Sequence, residues 1–215
     1  MRLILVGPPG VGKGTQAALI QERLGPIAIS SGDIFRAELR NETELGTLAQ
    51  GYMERGELVP DDIVIRMISG RLQQPDVSKG GFLLDGFPRT VPQAEALDGI
   101  LDVSGMEIEA VISMEVDDQV VVDRLGKRRS CPNCGEVYHL ESRPPEVDGI
   151  CDRCKHELII REDDRPETII RRLAVFREST LPVVNYYEQR GILRRINAGL
   201  AQEDVYAQIA KAVRA

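Results

Sequence analysis

The chain has 215 residues, of which 42% are hydrophobic and 28% charged, with a formal net charge of -7. That length suits one α/β domain with insertions, no apolar run approaches the ~20 residues of a membrane span, and the acidic balance argues against broad nucleic-acid or membrane-surface binding. The four cysteines all fall between positions 131 and 154, too clustered for a disulfide framework spanning the protein.

The first apolar run, Leu3 to Val6, predicts a buried parallel strand that leads directly into Gly7-Pro8-Pro9-Gly10-Val11-Gly12-Lys13-Gly14-Thr15 and then a helix from Gln16. With strand one at the start, no signal peptide is expected. A strand, a glycine-rich turn and a helix N-terminus aim successive backbone N–H groups at one point, where a phosphate chain can sit beside the charge of Lys13. Gly14 separates Lys13 from Thr15, a departure from the general P-loop that leaves direct Mg²⁺ ligation by the hydroxyl unassigned.

After a break at Gly25-Pro26, Ile27 to Ile29 predicts a second strand. Ser30 to Asp33 offers caps for a helix through Leu39, and a further helix runs from Glu44 to Glu54, ending at Gly56. The thin apolar faces of these two helices suggest a flap, packed more loosely than the core and reaching about Val59. A helix restarts at Pro60-Asp61-Asp62, with Ile63, Val64, Met67, Ile68 and Leu72 as its apolar side, and closes at Pro75.

Gly81 to Thr90 holds a strand that delivers Asp85 at its C-terminal end, where open α/β sheets gather ligand groups. A carboxylate there, opposite a P-loop, suits the water shell of Mg²⁺; the alternative is a cap for the helix starting near Pro92. Arg89 is placed to grip a phosphate with its planar fork, and Gln93 to read a base edge. Val111 to Met114 predicts a fourth strand, and Asp117-Asp118 caps a helix carrying Val120, Val121 and Leu125.

The alternation of strands and helices is interrupted between Lys127 and Asp164. Two C-x-x-C pairs, Cys131/Cys134 and Cys151/Cys154, lie sixteen residues apart, the spacing of a four-thiolate Zn²⁺ site. A short segment with few core residues needs such a staple. Two disulfides or a redox-active pair are the rival readings, and Fe²⁺ or Co²⁺ tolerates the same cage. A long helix follows from Pro166, with Ile169, Leu173, Phe176 and Val184 as its stripe, Pro182 bending it and Arg172 beside it; Ile192 to Ile196 predicts the last strand and Glu203 to Val213 the closing helix.

A phosphate cradle, a crevice carboxylate and five arginines on separate segments (Arg36, Arg89, Arg124, Arg161, Arg172) suggest two phosphate-bearing substrates. Phosphoryl transfer needs alignment and charge neutralisation more than covalent chemistry. The whole chain resembles the adenylate kinase family of nucleoside monophosphate kinases. The resemblance rests on the glycine-rich loop including Gly14, on Ser31-Gly32-Asp33 with Arg36, on Leu84-Asp85-Gly86-Phe87-Pro88-Arg89-Thr90, on Asp123-Arg124 and on Arg161-Glu162-Asp163-Asp164.

That resemblance implies a P-loop α/β fold with a five-stranded parallel sheet flanked by helices. It implies a core of residues 1–29, 60–126 and 165–215, an AMP-binding flap at 30–59 and a zinc-binding lid at 127–164. It further implies ATP contacts from Gly10, Val11, Gly12, Lys13, Gly14, Thr15, Arg124, Arg128, Val137, Tyr138 and Leu200. AMP contacts would come from Ser31, Arg36, Gln93, Arg161 and Arg172 and from the backbone of Glu57, Leu58, Val59, Gly86, Phe87, Pro88 and Arg89. Lys13, Asp85, Arg89, Arg124, Arg161 and Arg172 would carry the reaction, Mg²⁺ accompanying ATP and Zn²⁺ at Cys131, Cys134, Cys151 and Cys154. The partners are then ATP, AMP and ADP, with neither nucleic acid nor membrane, in a monomeric cytoplasmic enzyme. A relative preferring UMP, CMP or GTP, and a zinc-ribbon nucleic-acid-binding protein, are the alternatives.

Overall fold

The computed structural model describes residues 1–214. Its main sheet is built from β1 (Arg2–Val6), β2 (Ile27–Ser30), β3 (Phe82–Asp85), β4 (Ala110–Glu115) and β7 (Leu193–Asn197), all parallel and in the order β2-β3-β1-β4-β7. In the inner strands Leu3, Ile4, Leu83, Leu84, Val111 and Ile112 are completely buried, as expected of a parallel sheet covered on both faces. Register places Leu5 opposite Asp85 and Ser30 opposite Asp85. The C-terminal ends of β1, β2 and β3 therefore finish at one level, and the loops beyond them share a crevice.

Two apolar layers sandwich the sheet. On one side α1 (Lys13–Leu24) and α10 (Gln202–Ala212) bury Ala17, Ile20, Val205 and Ile209. On the other, α4 (Asp61–Leu72), α6 (Val91–Val103) and α9 (Leu181–Gln189) bury Val64, Ile68, Leu97, Val183 and Tyr187. Each of these Val, Ile and Leu side chains contributes roughly 1.5–3 kcal/mol through burial. The first turn of α4 carries Asp61 and Asp62, and α6 begins under a Thr90 cap whose hydroxyl accepts from the Gln93 N–H at 3.2 Å; Thr90, and not Asp85, caps this helix.

Several segments differ from their sequence-based expectation. The two helices following β2, α2 (Ser31–Arg40) and α3 (Glu44–Glu54), bury few apolar residues, Phe35 and Ala49, and these join the main apolar cluster together with Val59. Pro75 does more than close α4, since it also starts a short helix, α5 (Pro75–Gly80). Asp117 holds the N-cap position of α7 (Asp118–Gly126) without a side-chain hydrogen bond. The long C-terminal helix is divided into α8 (Pro166–Val175), a π-helical stretch Phe176–Thr180 and α9. Pro182, which lacks an N–H, falls in the first turn of α9 directly after that stretch.

Between α7 and α8 the chain leaves the sheet. A hairpin of β5 (Arg128–Ser130) and β6 (Val137–His139) is joined to the returning strand by a Ser130–Ile159 bridge. Its own core is small: Cys131, Tyr138, Cys151 and Leu158.

Candidate active site

The crevice at the strand ends is a cleft of about 1550 Å³. Residues 10–15 curl at its floor. Gly10 (φ 75°) and Gly12 (φ 104°) take left-handed conformations, and a Cβ on Gly10 would lie 2.6 Å from Leu125, so only glycine lets the loop pass. The Lys13 ammonium donates to the carbonyls of Gly7 (2.7 Å) and Pro8 (2.9 Å), bending back over its own loop. Burial lowers its pKa to about 8, against the attraction of Asp85, while Arg89, Arg172 and Arg128 push the same way as burial. The Asp85 carboxyl is held above the usual range by burial, opposed by Lys13 and Arg89. A Cβ on Gly14 would stand 3.9 Å from Asp85 Oδ2, so the start of α1 runs close to this carboxylate.

The arginines converge from every part of the fold. Arg36 donates to Asp33 (2.6 Å), and Arg89 to the Gly86 carbonyl (2.9 Å), which also accepts from the Ser31 hydroxyl (2.7 Å). Arg124 spans the Val11 carbonyl (3.1 Å) and the Ala198 carbonyl (3.0 Å), tying α7 to the phosphate loop and to the loop after β7. Arg161 donates to the Ser130 hydroxyl at 2.6 Å. Burial, then the neighbouring charges of Arg36 and Arg128, pulls the Arg161 pKa down to about 9. Arg89, Arg124 and Arg172 are likewise lowered, burial being the main cause in each.

Asp164 explains how the arginines are held. Its side chain is fully buried and accepts from Arg128 at 2.7 and 2.5 Å and from Arg172 at 3.1 Å. Burial raises the pKa of neighbouring Asp163, but Arg172, Arg128, Arg36 and Arg161 together outweigh it and leave the pKa low. The resemblance singled out the Arg161–Asp164 stretch without assigning these counter-charges; three successive acids after an arginine were the available signal.

Of the sequence-predicted nucleotide contacts, all line the cleft but Phe87. Phe87 is 1% exposed, with its ring in the core, and it follows Gly86 in a turn whose Phe87–Pro88 bond is cis. Tyr138 lines the cleft yet is largely buried, its hydroxyl accepting from the Asp152 N–H at 2.8 Å. Asp33, Gln16, Gln119, Arg143 and Arg153 also line the cleft and carry no sequence-based assignment.

The four cysteines are free, and their sulfurs lie within 4.8 Å of one another. The closest approaches, Cys131–Cys154 at 3.3 Å and Cys134–Cys151 at 3.6 Å, run between the two knuckles. Both are far outside disulfide bonding at ~2.05 Å and near the ~3.8 Å edge of a tetrahedron with 2.3 Å Zn–S bonds. Each knuckle turns through a left-handed residue, Gly135 (φ 79°) and Lys155 (φ 59°), closed by N–H bonds back to Cys131 and Cys151. Hydrogen bonds from the His156 backbone and the Asn133 side chain hold the Cys154 thiol below its usual range, favouring the thiolate form that a metal takes. The donor set therefore fits a tetrahedral thiophilic metal, and it stands apart from the P-loop on its own small core.

Comparison with known proteins gives one consistent result. The family model for adenylate kinase matches residues 5–192. An adenylate kinase of Carboxydothermus hydrogenoformans is 49% identical over 213 residues, covering 99% of both chains. That of Geobacter sp. strain M21 is 49% identical over the full length of both, and that of Lachnospira eligens 46% identical over 98% of this chain and 99% of its own.

Proposed function

The chain belongs to the adenylate kinase family and is a phosphotransferase, and from that premise we propose that it moves the terminal phosphoryl group of ATP to AMP, giving two ADP. The observation that carries this reading is the meeting, in one cleft, of the Lys13 loop, Asp85 and arginines from the segments around 36, 89, 124, 161 and 172. A single nucleotide would not need so many separate cationic groups. Two nucleotides in line would, because the transition state spreads charge over the transferred group and both of its neighbours.

The roles follow from position. Residues 10–15 offer backbone N–H groups to the donor's phosphates, and Lys13 swings from its loop carbonyls to the transferred group. Arg124 and Arg128 hold the donor end, while Val137, Tyr138 and Leu200 contact its nucleoside. Ser31, Arg36, Arg89, Gln93 and the backbone of 57–59 and 86–89 hold the acceptor. Arg161 and Arg172 bridge the two, neutralising charge as it develops. Adenylate kinases use Mg²⁺ with ATP; Asp85 is the carboxylate that would hold its water shell, the ion supplying further neutralisation of the phosphates.

Segments 30–59 and 127–164 act as an acceptor flap and a lid, excluding water so that the phosphoryl group reaches AMP and not solvent. Lid closure of this kind is a familiar gating step in this enzyme family, where it completes the set of charged groups around bound substrate. Zn²⁺ at Cys131, Cys134, Cys151 and Cys154 would hold the lid together without entering the chemistry, four thiolates leaving no open position. The reading carries with it a monomeric cytoplasmic enzyme whose partners are ATP, AMP and ADP; four free thiols suit a reducing compartment. No helix among the described residues is long and apolar enough to cross a membrane.

Phosphorus NMR of the protein with Mg²⁺ and ADP alone tests the proposal. ATP and AMP should appear in equal amounts, and Lys13→Ala should abolish them. Unchanged ADP in the presence of folded, metal-loaded protein refutes it.

A further inference from the structure

Gln93 is 1% exposed, lines the cleft, and has both ends of its amide engaged. The Arg89 backbone N–H donates to Oε1 at 2.8 Å, and Nε2 donates to Asp61 Oδ1 at 2.7 Å. The second oxygen of Asp61 accepts from the Thr90 hydroxyl at 2.8 Å, and Thr90 Oγ1 in turn accepts from the Gln93 N–H. Asp61, Thr90 and Gln93 thus close a ring, with Asp61 at the start of α4 and the other two at the start of α6. Asp61 does not line the cleft.

We propose that Asp61 sets the base selectivity of the acceptor site by fixing which way the Gln93 amide faces. A backbone N–H only donates and a carboxylate oxygen accepts, so the two partners agree on one orientation: oxygen toward Arg89, nitrogen toward Asp61. Turning the amide over would replace two hydrogen bonds by two like-facing contacts, leaving buried polar groups unpaired. In the fixed orientation one N–H and one oxygen lone pair remain for a ligand. Adenine offers an exocyclic amino donor beside a ring-nitrogen acceptor. Hypoxanthine has the same ring size but reverses the pair, offering a carbonyl acceptor beside a ring N–H donor. A freely turning glutamine reads either base; a locked one accepts only the first. Asp61 is therefore a positioning residue that acts through Gln93. The inference rests on the proposed reading of Gln93 as a contact to the acceptor's base.

The test compares kcat/KM for AMP and for IMP, with ATP as donor, in the wild-type protein, in Asp61→Ala and in Asp61→Leu, which keeps the branched shape of the side chain but accepts no hydrogen bond. Circular dichroism melting establishes that each variant is folded. The wild type should prefer AMP by about 100-fold or more. In the variants the preference should shrink by at least about tenfold, through a raised KM for AMP with no matching rise for IMP. An equal loss for both acceptors in a folded variant marks a purely structural role and overturns the inference alone. A wild type that uses IMP as readily as AMP overturns it without any variant. A wild type that phosphorylates neither overturns the functional reading as well.

Discussion

Lys13 gives a prediction whose size can be worked from its surroundings. Burial lowers its pKa to about 8, against an ordinary value of 10.5. The charged form is the one that binds phosphate, and kcat/KM reports groups of the free enzyme. At pH 9, one unit above that pKa, only about 10% of the molecules carry the charge, so kcat/KM for ATP should be about tenfold below its plateau. Lys13→Arg should remove this limb, because a guanidinium stays charged throughout the range. The kcat profile should break at higher pH, because bound phosphates favour the ammonium. Stability runs in the opposite sense: the folded pKa lies below the unfolded one, so between pH 8 and 10.5 the unfolded chain binds more protons. Lys13 alone then adds stability as pH rises, up to about 3 kcal/mol across that window. The assay is initial rate against ATP at saturating AMP from pH 6.5 to 9.5, values chosen to span roughly these pKa limits. A flat profile to pH 9, or a limb that survives in Lys13→Arg, refutes the reasoning.

Two further perturbations probe the framework around the arginines. Asp164→Asn keeps the shape of a fully buried side chain but removes the counter-charge of Arg128 and Arg172; breaking such a buried pair costs about 3 kcal/mol, or roughly 6–12 °C in melting temperature for a protein of this size. Calorimetry checks it, and a shift of 1–2 °C, about half a kcal/mol, contradicts it. Cys131→Ser, or a chelator that removes the proposed Zn²⁺, should unfold the 127–164 segment while the sheet survives, because Cys131, Tyr138, Cys151 and Leu158 form a core separate from the two main layers. Hydrogen exchange should show lost protection at Ser130 and Ile159 with β1 unchanged; parallel loss in β1 refutes this.

The five strands and most helices were legible because each carries its own local signal. Val111–Met114 is apolar apart from Ser113 and is followed by the acids Glu115, Asp117 and Asp118, the pattern of a buried parallel strand that ends there. Asp85 was legible because a strand end followed by glycine exposes a carboxylate at one predictable place. That Phe35, Ala49 and Val59 join the main apolar cluster was not legible, because they are spaced too widely to form a stripe on either helix. The π-helical stretch escaped for a related reason, Pro182 marking a disturbance without saying whether the helix would kink or widen. Asp61 and Asp164 were invisible as partners: each looks like an ordinary first-turn acid or one of a run, and its importance lies in a residue 32 or 36 positions away.

These hidden carboxylates share a logic. The cleft must be strongly cationic when two nucleotides are present, yet the same charges repel one another while it is empty. Their lowered pKa values record burial together with that repulsion. Asp33, Asp163 and Asp164 offset part of it by engaging Arg36, Arg128 and Arg172 directly. Lys13, Arg89 and Arg124 instead use carbonyl oxygens, which orient a cation without neutralising it. The division matters for the chemistry. Under the proposed roles, Lys13, Arg89 and Arg124 can exchange carbonyls for phosphate oxygens and gain a full opposite charge. Arg36, Arg128 and Arg172 would meet the nucleotides from positions their carboxylates already fix.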